Sequence, residues 1–140
     1  MSKLHLLLLQ WLLFLSFAEL FHVSHGDVGT AAKYSPPYLP TACYGSDASL
    51  VPSNAMFASA SEGIWNNGAA CGRQYLVRCL SAAEPRTCVE GQTIQIRIVD
   101  RASTSLSRPS NAGATMVLTD TAFAMIAAAS ASVINIEFSQ

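Results

Sequence analysis

The chain has 140 residues, enough for one domain, and its eight basic and nine acidic residues give a formal net charge of −1. This balance provides no basic field, so neither nucleic acid nor an anionic membrane surface is an expected partner. All three histidines lie within the first 25 residues, ahead of the segment that we assign to the folded domain. We therefore expect no Ser-His-Asp or Cys-His machinery in that domain.

The first 26 residues have the pattern of a secretory signal peptide. Lys3 precedes an apolar run over 6–17, and small residues follow at Ser24 and Gly26. We expect cleavage after Gly26, which leaves a mature domain over 27–140. The chain would then be exported and extracellular.

An N-terminal membrane anchor over 4–21 is the alternative, because about 20 apolar residues are enough to cross a bilayer. Gln10, Glu19 and His22 interrupt this run and make it a poor span. We therefore expect no membrane insertion once the leader has been removed.

All four cysteines fall in the predicted mature domain, at Cys43, Cys71, Cys79 and Cys88. An even number of cysteines in a small exported domain predicts disulfides. Four cysteines allow three pairings and the sequence alone does not choose, although the short loop from Cys79 to Cys88 favours that pair. A zinc site is the rival interpretation, but no Cys-x-x-Cys spacing and no histidine support it. We expect no metal and no other cofactor.

The remaining chain has the signals of about six short strands and one or two short helices. In chain order these are strands over 29–34, 56–60, 75–79, 93–101, 115–118 and 133–138, a helical turn over 61–67 that exits at Gly68, and an alanine-rich helix capped by Thr119 or Asp120. The 93–101 strand is clear because Ile94, Ile96 and Ile98 alternate with polar residues. Short strands separated by turns favour a small β-barrel over a parallel α/β sheet.

Asp100 and Arg101 end the 93–101 strand, where we expect any functional site. Without histidine, the chemistry that remains is glycoside cleavage by two carboxyl groups, about 5–5.5 Å apart for retention or about 6.5–9.5 Å for inversion. Asp100 is the one acid that the sequence places at a groove, whereas Asp47 lies among turn residues and suits a turn. In the structural alternative, Asp100 accepts backbone amides or pairs with Arg101 or Arg73.

Two aromatic features have both a structural and a binding interpretation. Trp65 suits either a platform that stacks on a sugar ring or a core residue beside the Cys71 bridge, and the second is commoner. The segment 35–40, Ser-Pro-Pro-Tyr-Leu-Pro, suits either docking in an aromatic groove of a partner or a stiff loop that leads to Cys43. The loop is the simpler interpretation.

Three spaced blocks of the sequence resemble one family. They are Gly-Thr-Ala-x-x-Tyr-x-Pro-Pro-Tyr-x-Pro-x-Ala-Cys-Tyr-Gly over 29–45, Ile-Trp-Asn-Asn-Gly-Ala-Ala-Cys-Gly-Arg-x-Tyr-x-Val-Arg-Cys over 64–79 and Ile-Val-Asp-Arg over 98–101. These blocks resemble the plant natriuretic peptide-like proteins, also described as family-45-endoglucanase-like domain proteins, which are relatives of the N-terminal domain of expansins and of barwin. The segment over 102–110 is similar to that of the citrus blight-associated protein type.

This resemblance implies an all-β fold over 27–140, a six-stranded double-psi β-barrel with one or two short helices. It implies a protein secreted to the plant apoplast, associated with stress responses and with water and ion balance. We expect this protein to be a monomer. By likeness to expansins it also implies the bridges Cys43–Cys71 and Cys79–Cys88. The acid of the lytic relatives corresponds to Val117, and a groove threonine of expansins corresponds to Ala32, so the resemblance implies a protein without hydrolase activity.

We therefore expect a non-enzymatic binding protein whose partner is a cell-surface receptor or a cell-wall polysaccharide. The candidate groove residues are Tyr34, Tyr44, Trp65, Asp100, Arg101 and Asp120. Asp120 is included because a shift of the helix start would bring it near the position of Val117. One alternative is a weak glycan-cleaving enzyme that uses Asp100 with Asp120 or Asp47. Another is a barwin-like defence protein that binds microbial walls.

Overall fold

A computed structural model of the protein describes residues 2–20, 26–102 and 113–140. Six strands in these ranges close into one barrel in the order β1-β5-β2-β4-β3-β6. The strands are β1 (Asp27–Tyr34), β2 (Phe57–Ala60), β3 (Gln74–Ser81), β4 (Thr93–Arg101), β5 (Met116–Thr119) and β6 (Val133–Ser139). The helices are α1 (Ser2–Leu20), α2 (Glu62–Trp65) and α3 (Asp120–Ile126), with 3-10 turns at Ala48–Leu50 and Asn66–Gly68. The predicted six-stranded barrel with short helices is confirmed.

The barrel mixes two kinds of strand pairing. β1 runs parallel to β5, and β2 runs parallel to β4. The other four pairs, β1–β6, β2–β5, β3–β4 and β3–β6, are antiparallel. Each parallel pair joins strands that are far apart in the chain, so their connections must cross the barrel rather than turn back as hairpins.

The interior of the barrel follows from period-two alternation in the strands. Ile96 and Ile98 of β4 and Ile136 of β6 are fully or almost fully buried in one core cluster. Phe123 and Ile126 of α3 pack into the same cluster. The core therefore sits inside the barrel, and α3 covers part of it.

Local signals explain where the two short helices begin and end. Thr119 caps α3, as predicted, because its hydroxyl oxygen accepts a hydrogen bond from the Ala122 amide. α2 ends at Trp65 and is followed by Asn66, whose φ of 49° is left-handed, a conformation that asparagine tolerates better than most residues. A 3-10 turn over Asn66–Gly68 then extends the helical segment to Gly68, the predicted exit, where φ is 91°.

Two disulfides hold loops against the barrel. Cys43 is bonded to Cys71, with a Cα–Cα distance of 5.6 Å, and Cys79 to Cys88, at 5.3 Å. These are the pairs that the family resemblance implies. The first ties the loop after β1 to the segment before β3, and the second closes the loop between β3 and β4.

The helix α1 occupies most of the predicted signal peptide. Among the helices that the structure describes, none has the length and apolar character needed to cross a bilayer. Residues 21–25, next to the predicted cleavage point, lie outside the described residues. So do residues 103–112, which the sequence predicts to form a surface loop over the barrel.

Candidate functional site

Four residues from neighbouring strands form a row across the outer face of the barrel, which we call the groove row. Ala32 of β1 pairs with Val117 of β5, and Val117 pairs with Ser59 of β2. Ser59 in turn pairs with Asp100 of β4, because a register shift after Ala58 brings Asp100 into that place. With strands about 4.8 Å apart, the Cα atoms of Val117 and Asp100 are roughly 10 Å apart.

Asp100 lies at one end of the groove row and is only 1% exposed. Its Oδ1 accepts hydrogen bonds from the main-chain amides of Ala42 and Arg101, both at 2.8 Å. The side chains of Arg101 and Arg73, which the sequence offered as possible partners, do not make these bonds. Asp100 therefore accepts backbone amides, as the structural alternative predicted. Its Oδ2 is buried and has no hydrogen-bond partner within the described parts of the chain.

Two hydroxyl groups near Asp100 are also buried and unpartnered. Across the described ranges, neither Tyr34 Oη nor Ser59 Oγ has a hydrogen-bond partner. Burial of such groups normally costs free energy unless a ligand or water satisfies them. The site therefore holds two hydroxyls and one carboxyl oxygen that are buried and have no hydrogen-bond partner within the described residues.

Burial shifts the titration of both acids in this site. It raises the pKa of Asp100 above its ordinary value, and the amides of Ala42 and Arg101 oppose this because they stabilise the carboxylate. Burial also raises the pKa of Tyr34, against the influence of the nearby Ser59 hydroxyl, and the negative charge of Asp100 adds to the rise. Asp100 therefore retains its proton to a higher pH than an exposed aspartate.

Apolar residues surround these polar groups in a second core cluster, which we call the outer cluster. Its buried members are Ala32, Tyr34, Phe57, Val99, Ala102, Ala114 and Val117, and Tyr38, Tyr44, Val51 and Ala55 pack against them. The last four belong to the loop between β1 and β2. This loop therefore covers the outer face of the barrel beside the groove row.

Aromatic contacts join that loop to the barrel. The ring of Tyr38 meets those of Tyr34 and Phe57 edge to face, at centroid distances of 4.8 and 5.1 Å. Tyr38 also donates a hydrogen bond to the carbonyl of Tyr34 at 3.2 Å. Tyr38 is thus engaged in packing, which favours the stiff-loop interpretation of 35–40. Tyr34, predicted to line the groove, is 9% exposed and offers no open stacking face.

Arg101 and Trp65 meet at the end of β4. The Arg101 Nε donates to Glu62 Oε1 at 2.6 Å, and its guanidinium lies 6.0 Å from the centre of the Trp65 ring. Trp65 is half-buried and packs against the barrel core. This packing fits the core interpretation of Trp65, whereas its role as a platform for a sugar ring stays a prediction.

The other two candidate carboxylates lie elsewhere. Asp120 begins α3, three residues beyond Val117, and accepts a hydrogen bond from the Ser35 hydroxyl. Asp47 accepts the Ser49 amide and caps a 3-10 turn, in agreement with the predicted turn role. In the described residues neither carboxylate contacts Asp100. The shift that would bring Asp120 to the place of Val117 does not occur.

Sequence reasoning missed Ser59 and Glu62. Ser59 is the only hydroxyl residue in β2, whose four residues are all buried, and a lone polar group in such a strand was the available signal. Glu62 gave no signal, because its pairing with Arg101 spans 39 positions in the sequence. No group of His, Cys, Asp or Glu side chains in the described chain is arranged to hold a metal ion.

Comparisons with known proteins agree with this architecture. A family model described as lytic transglycolase matches residues 57–138. An EG45-like domain containing protein of Citrus jambhiri is 38% identical over 120 residues, covering 84% of this chain and 83% of that protein. A putative EG45-like domain containing protein 1 of Arabidopsis thaliana is 35% identical over 121 residues, covering 85% and 87%.

Solved structures show the same fold. A mutant expansin of Clavibacter michiganensis, crystallised in complex with cellohexaose, matches with a TM-score of 0.57 at 20% identity, over 80% of this chain. The present chain spans about half of that protein, since the match covers 48% of it. Together these matches confirm the resemblance and the double-psi β-barrel that it implies. The chain belongs to the family of EG45-like domain containing proteins, on the double-psi barrel fold that expansins share.

Proposed function

We propose that this protein is a secreted, non-enzymatic protein of the plant apoplast that binds a cell-wall polysaccharide or a cell-surface partner through the groove row. The observation that carries this proposal is the composition of that row. It offers one carboxyl group, at Asp100, while Ala32 and Val117 occupy the two positions where the lytic and expansin relatives are expected to have polar groups.

The chemistry of the groove row favours binding over cleavage. Glycoside hydrolysis by carboxyl groups needs a second acid within about 10 Å of the first. In this row the corresponding place is taken by the buried side chain of Val117. Asp100 Oδ2 and the hydroxyls of Tyr34 and Ser59 have the chemistry to accept and donate hydrogen bonds to the hydroxyl groups of a sugar. Because these atoms are buried, binding through them requires the loop between β1 and β2 to move aside.

Two further considerations support a wall polysaccharide as the partner. The expansin with the matching fold was crystallised with cellohexaose, a glucan oligosaccharide. The predicted signal peptide would deliver the domain outside the cell, where such polymers occur. A role in stress response and in water and ion balance is the biological context that the family resemblance suggests.

Binding is tested with protein produced from the full chain in a plant secretory host. We expect labelled protein to co-sediment with isolated wall polysaccharide or to label plant cell surfaces. Asp100→Asn should weaken this binding at least fivefold, because it changes the hydrogen-bonding groups of the site while the amide oxygen can still accept from Ala42 and Arg101. Glu90→Gln, the same change at an exposed acid, is the control. Binding to neither material would contradict the proposal.

Secretion has its own test. The mass of the protein in the medium should correspond to residues 27–140, because cleavage is expected after Gly26. A protein that remains in the membrane pellet after alkaline washing, with α1 still attached, would show that the leader acts as an anchor.

Weak glycan cleavage remains the second candidate because of one observation. Burial raises the pKa of Asp100, and a raised pKa is the direction of shift that a general acid requires. This candidate predicts new reducing ends from a glucan and their loss in Asp100→Ala.

A further inference from the structure

A cleft of about 610 Å³ opens at the end of the barrel where β1 and β3 begin. Its wall includes Asp27, Glu62, Asn66, Arg73, Tyr75 and Phe138. No member of the groove row lines it, so it is a separate feature of the molecule. Its volume lies within the range of about 300–1,000 Å³ that is common for small-ligand sites, and barrel mouths are frequent locations for them.

The floor of the cleft is apolar and well packed. Ile64, Tyr75 and Phe138 are 7–8% exposed, and the rings of Tyr75 and Phe138 meet edge to face at 5.8 Å. Ile64 and Tyr75 also belong to the main core cluster. The floor is therefore part of the folded core and does not need to reorganise when a ligand arrives.

The rim of the cleft is polar and has unused hydrogen-bonding capacity. Within the ranges that the structure describes, the side chains of Asp27, Asn66 and Arg73 make no hydrogen bond and no ion pair. Asn66 offers both a donor and an acceptor, Arg73 offers donors and Asp27 offers acceptors. These three side chains lie around a single opening.

Backbone contacts hold the rim in place. The Ser61 amide donates to the carbonyl of Thr115 at 3.2 Å, which fixes the start of α2. The Arg73 carbonyl accepts from the Ile98 amide at 2.9 Å, and Cys71, two residues before it, is in a disulfide. Because the backbone of the rim is held before binding, only its side chains need to become ordered when a ligand docks.

The charges around the cleft nearly cancel. Asp27 and Arg73 carry opposite charges, and the carboxylate of Glu62 is paired with Arg101. An anionic ligand would meet two carboxylates and a cationic one would meet Arg73. This balance favours an uncharged ligand that can use donors and acceptors together.

From this geometry we propose that the barrel-end cleft binds a short, neutral oligosaccharide of about two or three rings, a size that its volume admits. Sugar hydroxyl groups would pair with Asn66, Arg73 and Asp27 on the rim, and the buried residues Ile64, Tyr75 and Phe138 would support the ligand only as the base of the cleft. The cleft binds independently of the groove row.

Nuclear magnetic resonance of isotopically labelled protein, produced from the full chain, tests this site. We would titrate it with cellotriose, xylotriose and mannotriose, each to millimolar concentration. We expect at least one sugar to shift the amide signals of residues 62–66, 73–75 and 138–140. Arg73→Ala and Asn66→Gly should each raise the dissociation constant about five- to tenfold, the effect of losing one or two hydrogen bonds.

The design separates binding from misfolding. Asn66→Gly preserves the left-handed backbone at φ 49° while removing the amide side chain. Arg97→Ala, the same truncation outside the cleft, should leave the affinity unchanged, and the spectrum of each variant reports its fold. The proposal is overturned if no trisaccharide shifts the cleft signals, or if both cleft variants bind as tightly as the wild type. Shifts confined to the groove row would support the proposed function and exclude this second site.

Discussion

At Asp100, burial and hydrogen bonding have opposite effects on the pKa of the carboxyl group. Burial raises its pKa in the folded protein above the ordinary value of about 3.9, so the folded state binds this proton more tightly than the unfolded chain. The resulting stabilisation is fully present below the unfolded pKa. It is lost as the pH rises through the folded pKa.

Asp100→Asn removes this titration and keeps an oxygen that can accept from Ala42 and Arg101. We therefore expect the free energy of unfolding of Asp100→Asn to gain on that of the wild type as the pH rises from about 3 toward 7. Urea denaturation at a series of pH values measures the free energy of unfolding of the variant and of the wild type. A difference that stays constant, or that moves in favour of the wild type, would contradict the raised pKa.

Tyr34 and Tyr38 allow a comparison of two tyrosine hydroxyls, one without a hydrogen-bond partner in the described residues and one with a partner. The Tyr34 hydroxyl is buried with no partner in the described residues, whereas the Tyr38 hydroxyl donates to the Tyr34 carbonyl. Tyr34→Phe should leave the free energy of unfolding unchanged or raise it by up to about 1 kcal/mol, because no bond is lost. Tyr38→Phe should lower it by about 0.5–1.5 kcal/mol. Denaturant unfolding would refute this if Tyr34→Phe proved the more costly change.

At the scale of elements, Thr119 links β5 to α3 and to the loop before β2. Its hydroxyl accepts from the Ala122 amide at 3.1 Å and donates to the Ala55 carbonyl. Thr119→Val keeps the volume but leaves both backbone groups unsatisfied, so we expect a loss of about 2 kcal/mol. Thr119→Ser keeps both bonds and loses one buried methyl group, at about 1 kcal/mol. Thermal unfolding should rank them in this order, and the reverse rank would show that the cap contributes little.

Elements with strong local signals could be predicted from the sequence. β4 spans the predicted 93–101, because alternating isoleucines specify a strand whose interior face is buried. β1 begins two residues before the predicted start, and β5 one residue after it. The start of β1 depends on its pairing with β6 and β5, and the start of β5 depends on its pairing with β1 and β2. The sequence of a single segment does not encode these pairings.

The candidate site was less predictable, because it depends on contacts between distant segments. A register shift between β2 and β4 brings Asp100 opposite Ser59, and the period of an isolated strand does not reveal such a shift. Tyr34 lies on the outer face of β1, which would be exposed in a bare barrel. The loop after β1 covers that face, so an expected groove aromatic is a buried residue.

At the scale of the whole molecule, the two disulfides restrain the unfolded chain to different degrees. Cys43 and Cys71 are separated by 28 positions, and Cys79 and Cys88 by nine. The chain-entropy model assigns about 3.5 kcal/mol to the longer loop and about 2.5 kcal/mol to the shorter. Replacing each pair by alanines should lower the free energy of unfolding in that order, as measured by urea denaturation without reductant. A larger loss from the Cys79–Cys88 pair would contradict this ranking.

The central claim is that the double-psi barrel does not cleave the wall polymer that we propose it binds. Its most direct test is the release of reducing ends from an insoluble wall glucan by the wild type and by Asp100→Ala. We predict that both proteins release no more than buffer alone, because the family resemblance places Val117 where the lytic relatives have their acid. Release by the wild type that is lost in Asp100→Ala would contradict the account and identify Asp100 as a catalytic acid.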